Sequence, residues 1–92
     1  GAGWPDDRAA IIYIDRFGNA MTGLRASFLN ESQTLVVGEM RVRHAAVFSE
    51  VPPGRVFWYA NSIGLVEIAA NRASAAGLCR LDIGDVIAVE AW

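Results

Sequence analysis

The most regular stretch of the chain alternates apolar and polar positions from Glu39 to Phe48. Met40, Val42, His44, Ala46 and Phe48 fall on one side; Glu39, Arg41, Arg43, Ala45 and Val47 fall on the other. A period of two belongs to a half-buried strand and not to a helix. Other segments carry β-formers in short runs between turn residues. Ala9–Asp15 reads as a buried strand stopped at Phe17-Gly18-Asn19, and Ala20–Phe28 as a second strand that Gly23 weakens or bulges. A polar loop, Asn30–Gln33, precedes a short run at Thr34–Gly38. After the alternating segment, Ser49–Gly54 (SEVPPG) is a turn, because its two prolines donate no backbone hydrogen bond. Arg55–Ala60, Leu65–Ala69 and Val86–Ala91 complete the strands. Helical character is confined to Asn71–Leu78, which is Ala-rich, with Asn71 or Ser74 near its start and Gly77 near its end.

About seven short strands and one short helix predict an all-β domain, a small closed β-barrel rather than an open sheet with bare edges. The 92 residues suit one core. Residues 1–8 (GAGWPDDR) read as a flexible lead-in, and 9–92 as the barrel.

Composition narrows the function. The apolar share is 53%, too high for a disordered chain. The longest apolar runs, Ala9–Ile14 and Val56–Ala60, are far too short for a membrane helix, and Gly1–Asp7 lacks the basic start and apolar centre of a signal peptide. A cytoplasmic location without membrane attachment is the expectation. Net charge is −2 and all eight basic residues are arginine, so no concentrated basic face for nucleic acid is expected. Arg41 and Arg43 read as a solvated strand face.

Catalytic constellations are lacking. Cys79 is the one cysteine and His44 the one histidine, and nothing in the sequence brings them together as nucleophile and base. His44 fits a packed or hydrogen-bonded core position. No set of zinc ligands is present, and no cofactor is expected.

Two polar stretches stand out. In Asp15-Arg16-Phe17-Gly18-Asn19 an acid, an aromatic ring, a glycine and an amide share one turn. Asn19 could pair with a purine edge and Phe17 could stack on one; alternatively, Asp15 and Asn19 serve only the turn's backbone. In Asn61-Ser62-Ile63-Gly64-Leu65-Val66-Glu67 an acid interrupts an apolar strand. A half-buried Glu67 demands a partner, either a group of this chain or a ligand hydroxyl or amine.

IDRFGNAMT, then VPPGRVFWYANSIGLVEIAANRASAAGL and LDIGDVIAV, resemble the C-terminal domain of the S-adenosylmethionine hydroxide adenosyltransferases, relatives of the fluorinating and chlorinating enzymes. The resemblance runs over nearly the whole chain from about residue 10. It implies a Greek-key barrel packed on an N-terminal α/β domain absent here, in an intact homotrimer. It also implies S-adenosyl-L-methionine as substrate, held between this domain and a neighbouring subunit's N-terminal domain. Water or hydroxide attacks the ribose 5′ carbon, giving adenosine and L-methionine. Carried onto this chain, Asn19 meets the adenine edge with Phe17 beside it. Asp15 holds the methionine ammonium and Ser62 the amino-acid end, while Glu67 and the backbone around Ala70 complete the adenosine contacts. Phe48 is a further candidate for stacking on the base. No residue of this set activates water; that work belongs to the N-terminal domain. The halogenating relatives have one more residue between the Asp and the Phe, an aromatic at Met21, and arginines at Ile63 and Ala70, which favours the hydroxide branch. Gly23 also stands where an Asn is usual. The expectation is that the Asp15–Asn19 and Asn61–Glu67 corners lie beside each other and cradle one nucleoside. A stand-alone, non-catalytic binding or assembly module is the other reading of the same barrel.

Overall fold

The computed structural model describes residues 8–46 and 48–90; the 1–7 part of the expected lead-in lies outside the described residues. Seven strands form: β1 (Arg8–Ile14), β2 (Ala20–Arg25), β3 (Leu35–Val37), β4 (Met40–His44), β5 (Val56–Ala60), β6 (Leu65–Ala70) and β7 (Ile87–Val89). One short helix, α1 (Ala75–Cys79), and two 3-10 turns, Ala26–Phe28 and Phe48–Glu50, lie between them. The sheet order is β1-β2-β6-β5-β4-β3-β7. The two ends of that order meet: Ala10 bridges Val86, Ile11 N donates to Asp85 O at 2.8 Å and Gly84 N donates to Ile11 O at 2.7 Å. The sheet is thereby nearly closed into a small all-β barrel, as the strand pattern predicts.

Chain order explains the shape. Hairpins join β1 to β2, β3 to β4 and β5 to β6, and β7 returns past three strands to lie antiparallel to β3, the long return step of a Greek key. One pair, β4 and β5, is parallel. This shortens the alternating segment. A parallel neighbour needs a crossover, not a tight hairpin, so the chain leaves the sheet after His44 and travels back through Ala45–Arg55. The strand therefore covers Met40–His44 and not the whole alternating stretch Glu39–Phe48. The second strand is shorter too, ending at Arg25 where the 3-10 turn begins.

Side chains alternate across β6 with the strictness of a strand paired on both sides. Val66 and Ile68 are fully buried and face inward with Ala20, Leu24, Leu35, Val42 and Trp58. The Trp58 indole N–H donates to Gln33 O at 3.0 Å, so this large ring is buried without an orphaned donor. A smaller cluster of Val51, Phe57 and Ala69 sits on the outside of the sheet, covered by the β4–β5 crossover. The helix is shorter than the Ala-rich run suggests because Ser74 caps it, accepting from Gly77 N at 2.9 Å. Asn71 is used otherwise: its amide donates to Val51 O at 2.7 Å and ties the crossover down.

Thr22 is the one buried polar side chain among the described residues. Its hydroxyl donates to Val66 O at 2.8 Å and accepts from Leu24 N at 3.1 Å, which satisfies a backbone donor at an irregularity of the β2–β6 ladder. Thr22→Val strands that donor and is expected to cost about 1–3 kcal/mol, whereas Thr22→Ser keeps both bonds and costs about 1 kcal/mol for the lost methyl group. The midpoints of urea unfolding curves rank the two variants.

Candidate functional site

The two polar corners are built as the same turn. In the β1–β2 connection, Asp15 N donates to Asn19 O and Gly18 N to Asp15 O, both at 3.0 Å. In the β5–β6 connection, Asn61 N donates to Leu65 O at 2.9 Å and Gly64 N to Asn61 O at 3.0 Å. Gly18 and Gly64 have φ of +84° and +82°, the left-handed position of a three-residue hairpin loop. The first residue of each loop then closes it with one side-chain oxygen. Asp15 Oδ1 accepts from Phe17 N (2.9 Å) and Asn19 N (3.0 Å), and Asn61 Oδ1 accepts from Ile63 N (3.1 Å) and Leu65 N (3.0 Å). The backbone-serving role of Asp15, one of its two readings from sequence, is realised. Its second oxygen takes no hydrogen bond among the described residues.

The corners do not lie beside each other. Ala20 pairs with Ile68 and Arg25 with Leu65, and Ala26 N donates to Gly64 O. Asn19 therefore sits beyond the C-terminal end of β6 and Ser62 beyond its N-terminal end. Six strand residues separate them, roughly 20 Å at about 3.3 Å per residue. The expectation of one shared nucleoside cradle is corrected by this register: an antiparallel partner on each side of β6 puts the β1–β2 and β5–β6 hairpin loops at opposite ends of the barrel. A ligand touching both must be long.

At the first corner the structure brings Phe17, Asn19 and Ala70 together with Arg72 and Ala73 around an open hollow of about 320 Å³. Phe17 is 66% exposed, and the Arg16 guanidinium lies over its ring, 4.9 Å from the centroid. The half-buried Asn19 side chain makes no hydrogen bond among the described residues. Ala70 itself is buried and pairs with Val56, so what it offers a ligand is backbone. Arg72 was not foreseen. It adopts φ +56°, and the only sequence signal for it is a polar Asn71-Arg72 pair directly after an apolar strand.

Gly18 fixes this corner to the helix. A β-carbon there would fall 1.9 Å from Ser74 Oγ and 2.9 Å from Ser74 Cα. Gly18 O also accepts from Ala76 N at 2.9 Å. The turn thus leans on the N-cap of α1.

Between the corners, Tyr13, Met21, Glu67 and Tyr59 form one cross-strand row on the outer face. Glu67 has its partners within the chain. The Tyr59 hydroxyl donates to Oε2 at 2.5 Å and the Asn61 amide donates to Oε1 at 3.2 Å. The Tyr59 hydroxyl is held far above its ordinary pKa, first by burial, then by the Glu67 hydrogen bond and charge and by the charge of Asp15. It stays a donor at any physiological pH, and the negative potential of the first corner reaches the middle of the row. Ser62 is exposed and its hydroxyl has no partner among the described residues.

The remaining candidates behave as the sequence suggests. His44 is largely buried, its ring 4.6 Å from that of Trp58 and its Nε2 3.6 Å from Glu31 Oε2. Cys79 is half-buried, and burial pushes its thiol pKa up, away from nucleophilic chemistry. Arg41 grips Glu90 with two hydrogen bonds of 2.7 and 2.5 Å. The Phe48 side chain lies outside the described residues. No metal-binding cluster of His, Cys, Asp and Glu occurs among the described residues, and no helix there is long and apolar enough to cross a membrane. A wider open cleft of about 550 Å³ lies against the crossover, lined by Arg43, Arg55, Glu50, Pro52 and Phe57 among others. No local pattern announces it, because the crossover that walls it follows from the parallel strand pair.

Residues 9–88 match the family model described as the SAM hydroxide adenosyltransferase C-terminal domain. The chain belongs to that family. Among its relatives, an (R)-S-adenosyl-L-methionine hydrolase of Salinispora arenicola is 32% identical over 84 residues, covering 90% of this chain and 32% of that protein. A protein of the same name from Thermus thermophilus is 42% identical over 65 residues, covering 71% of this chain and 25% of that protein. A crystal structure of a conserved hypothetical protein from Thermus thermophilus superposes with a TM-score of 0.81 at 35% identity, over 95% of this chain and 37% of that one. An uncharacterised conserved protein from Thermotoga maritima shares the fold, with a TM-score of 0.77 at 23% identity, over 89% of this chain and 35% of that one. The chain thus spans about a quarter to a third of the length of the curated relatives it matches.

Gly18 and Gly64 occupy the same place in the two like turns, but a β-carbon at Gly64 meets nothing within 4 Å. Gly64→Ala is expected to cost only the left-handed backbone strain, about 1 kcal/mol, and Gly18→Ala at least about 2 kcal/mol more, because the Ser74 cap must move. Thermal unfolding of the two variants reads the difference.

Proposed function

We infer that this domain binds S-adenosyl-L-methionine as the C-terminal part of an adenosine-forming hydrolase, with the adenosine at the Asp15–Asn19 corner and the ligand running along β6 towards Ser62. The observation that carries this reading is the contrast between the two like turns. The 61–65 loop closes with Asn61, Ile63 and Leu65 where the 15–19 loop has Asp15, Phe17 and Asn19. A neutral amide suffices to close the loop, so the charge of Asp15 is surplus to folding. The same holds for the exposed ring of Phe17 and for the Asn19 amide, which makes no hydrogen bond among the described residues. Those three surplus features suit a cation, a flat ring and a hydrogen-bonding ring edge, which an adenosyl sulfonium amino acid carries together.

In this reading Asn19 pairs with the adenine edge, Phe17 packs beside the base, and the backbone at Ala70 closes the hollow. Asp15 Oδ2, at the adenosine end, attracts the sulfonium charge; the ammonium shares a carbon with the carboxyl group and so lies with it towards Ser62, roughly 20 Å along β6. Ser62 takes the amino-acid end, and the length of β6 matches an extended ligand better than a compact nucleoside. Water attacks the ribose 5′ carbon while the C–S bond breaks; the sulfonium leaves as neutral methionine thioether with the bonding pair, and the water proton passes to a base outside this domain. Leaving-group chemistry of this kind asks the protein mainly to position and desolvate the reactants. The residues that do so at the reacting atom belong to an N-terminal α/β domain, and a neighbouring subunit of a homotrimer completes the pocket. The names of the relatives support the substrate, and the partial coverage of their length supports a second domain.

An enzyme uniting this chain with its α/β domain is expected to convert S-adenosylmethionine to adenosine and L-methionine, followed by chromatography; the chain alone is expected to release none. In that enzyme Asp15→Asn is expected to raise KM at least about tenfold, the loss of one charge-assisted contact, with the unfolding temperature nearly unchanged because Gly18 against the α1 cap, and Ala76 N donating to Gly18 O, still hold the turn. An unaltered KM removes Asp15 from the site.

A further inference from the structure

We propose that Glu67 is a positioning residue rather than a substrate contact: with Tyr59 it orients the Asn61 amide, and through it the loop that presents Ser62. The proposal deepens, and rests on, the reading of Ser62 as a substrate contact.

The geometry is specific about donors and acceptors. Asn61 closes its loop only if Oδ1 points at Ile63 N and Leu65 N. An Asn side chain can turn over, exchanging its oxygen for an NH₂ that would face those two donors and open the loop. Glu67 removes that freedom. Its carboxylate can only accept, so Oε1 selects the Nδ2 end of Asn61 and leaves Oδ1 for the turn. Tyr59 in turn holds Oε2, fixing the carboxylate from the neighbouring strand. Glu67 is paired across the sheet with Tyr59 and with Met21, so its Cα cannot drift along the barrel.

The sister loop shows what the brace is for. Asp15 needs none, since either end of a carboxylate accepts, and its loop is further held by the contact of Gly18 with the α1 cap. The 61–65 loop is also pinned to the barrel, by Ala26 N donating to Gly64 O at 2.9 Å, but its closing residue is an amide with two unlike ends. Its orientation therefore depends on one outside acceptor, and the only residue accepting from Asn61 Nδ2 among the described residues is Glu67.

A donor–acceptor swap tests this. Asn61→Asp alone places two carboxylates face to face and is expected to speed hydrogen exchange of the Ile63 and Leu65 amides at least about tenfold, and to raise KM for S-adenosylmethionine similarly in the intact enzyme with kcat changed less than about threefold. Glu67→Gln added to it restores a donor opposite the new acceptor. The double variant is expected to return exchange and KM to within about threefold of the parent, and rescue remains readable even where Asn61→Asp alone unfolds. A double variant no better than either single one overturns the proposal. So does Glu67→Gln raising KM with loop exchange unchanged, since that marks a direct substrate contact. Ser62→Ala tests the reading beneath it separately: an unchanged KM there, with exchange still obeying the swap, sinks Ser62 as a contact and upholds the brace.

Discussion

The pairing of β6 with an antiparallel neighbour on each side is the constraint from which the rest of this domain follows. Val66 and Ile68 fill the barrel because Ala20, Trp58 and Thr22 meet them in register from both flanks. The same register puts Glu67 on the outer face between Met21 and Tyr59. A slip of one residue would bring the carboxylate into an apolar interior and turn Ile68 out to solvent, a double loss that holds the register firmly. Each end of β6 then receives one hairpin loop, and the separation of those loops, the length of one strand, sets the size of ligand that can touch both.

Two loops of one design, used differently, give the outer face its character. Both spend one side-chain oxygen on the backbone amides that a tight turn leaves over. In the 15–19 loop the closing group carries a charge, and among the described residues its second oxygen and the neighbouring Asn19 amide make no hydrogen bond, beside an exposed ring. In the 61–65 loop the closing group is neutral and its spare N–H₂ is consumed by Glu67. Asp15 and Glu67 make the face between the loops negative, and Tyr59 registers both in its raised pKa. Across Phe57 the sign changes, with Arg43 and Arg55 lining the cleft below the crossover. A domain that shows, on one face, polar groups making no hydrogen bond among the described residues suits part of a larger site, which accords with a family whose curated relatives are about three times its length.

Much of this was legible from residues alone. Alternation and turn chemistry located all seven strands within a few residues, because strand period and loop glycines are local properties. The Asp15–Asn19 corner was legible for the same reason: Asp, Gly and Asn at those offsets are turn residues, and an aromatic among them is surplus. His44 as a packed residue and Arg41 as part of a solvated face followed from the neighbours of each in sequence. Less was legible where two distant segments meet. Nothing local told that β4 and β5 run parallel, so the length of the alternating strand and the arginine-lined cleft escaped notice, as did Arg72 at the hollow.

The sequence by itself determined the elements, the barrel class and the residues of the polar turns between strands, since each depends on propensity and pattern within a few positions. Tertiary structure alone decided which of those residues are neighbours. Sheet order sent the Asn19 and Ser62 loops to opposite ends of β6, and cross-strand pairing gave Glu67 its partners within the chain, Tyr59 and Asn61. The reason is physical: a hydrogen bond between strands depends on register across the sheet, a quantity that no single segment carries.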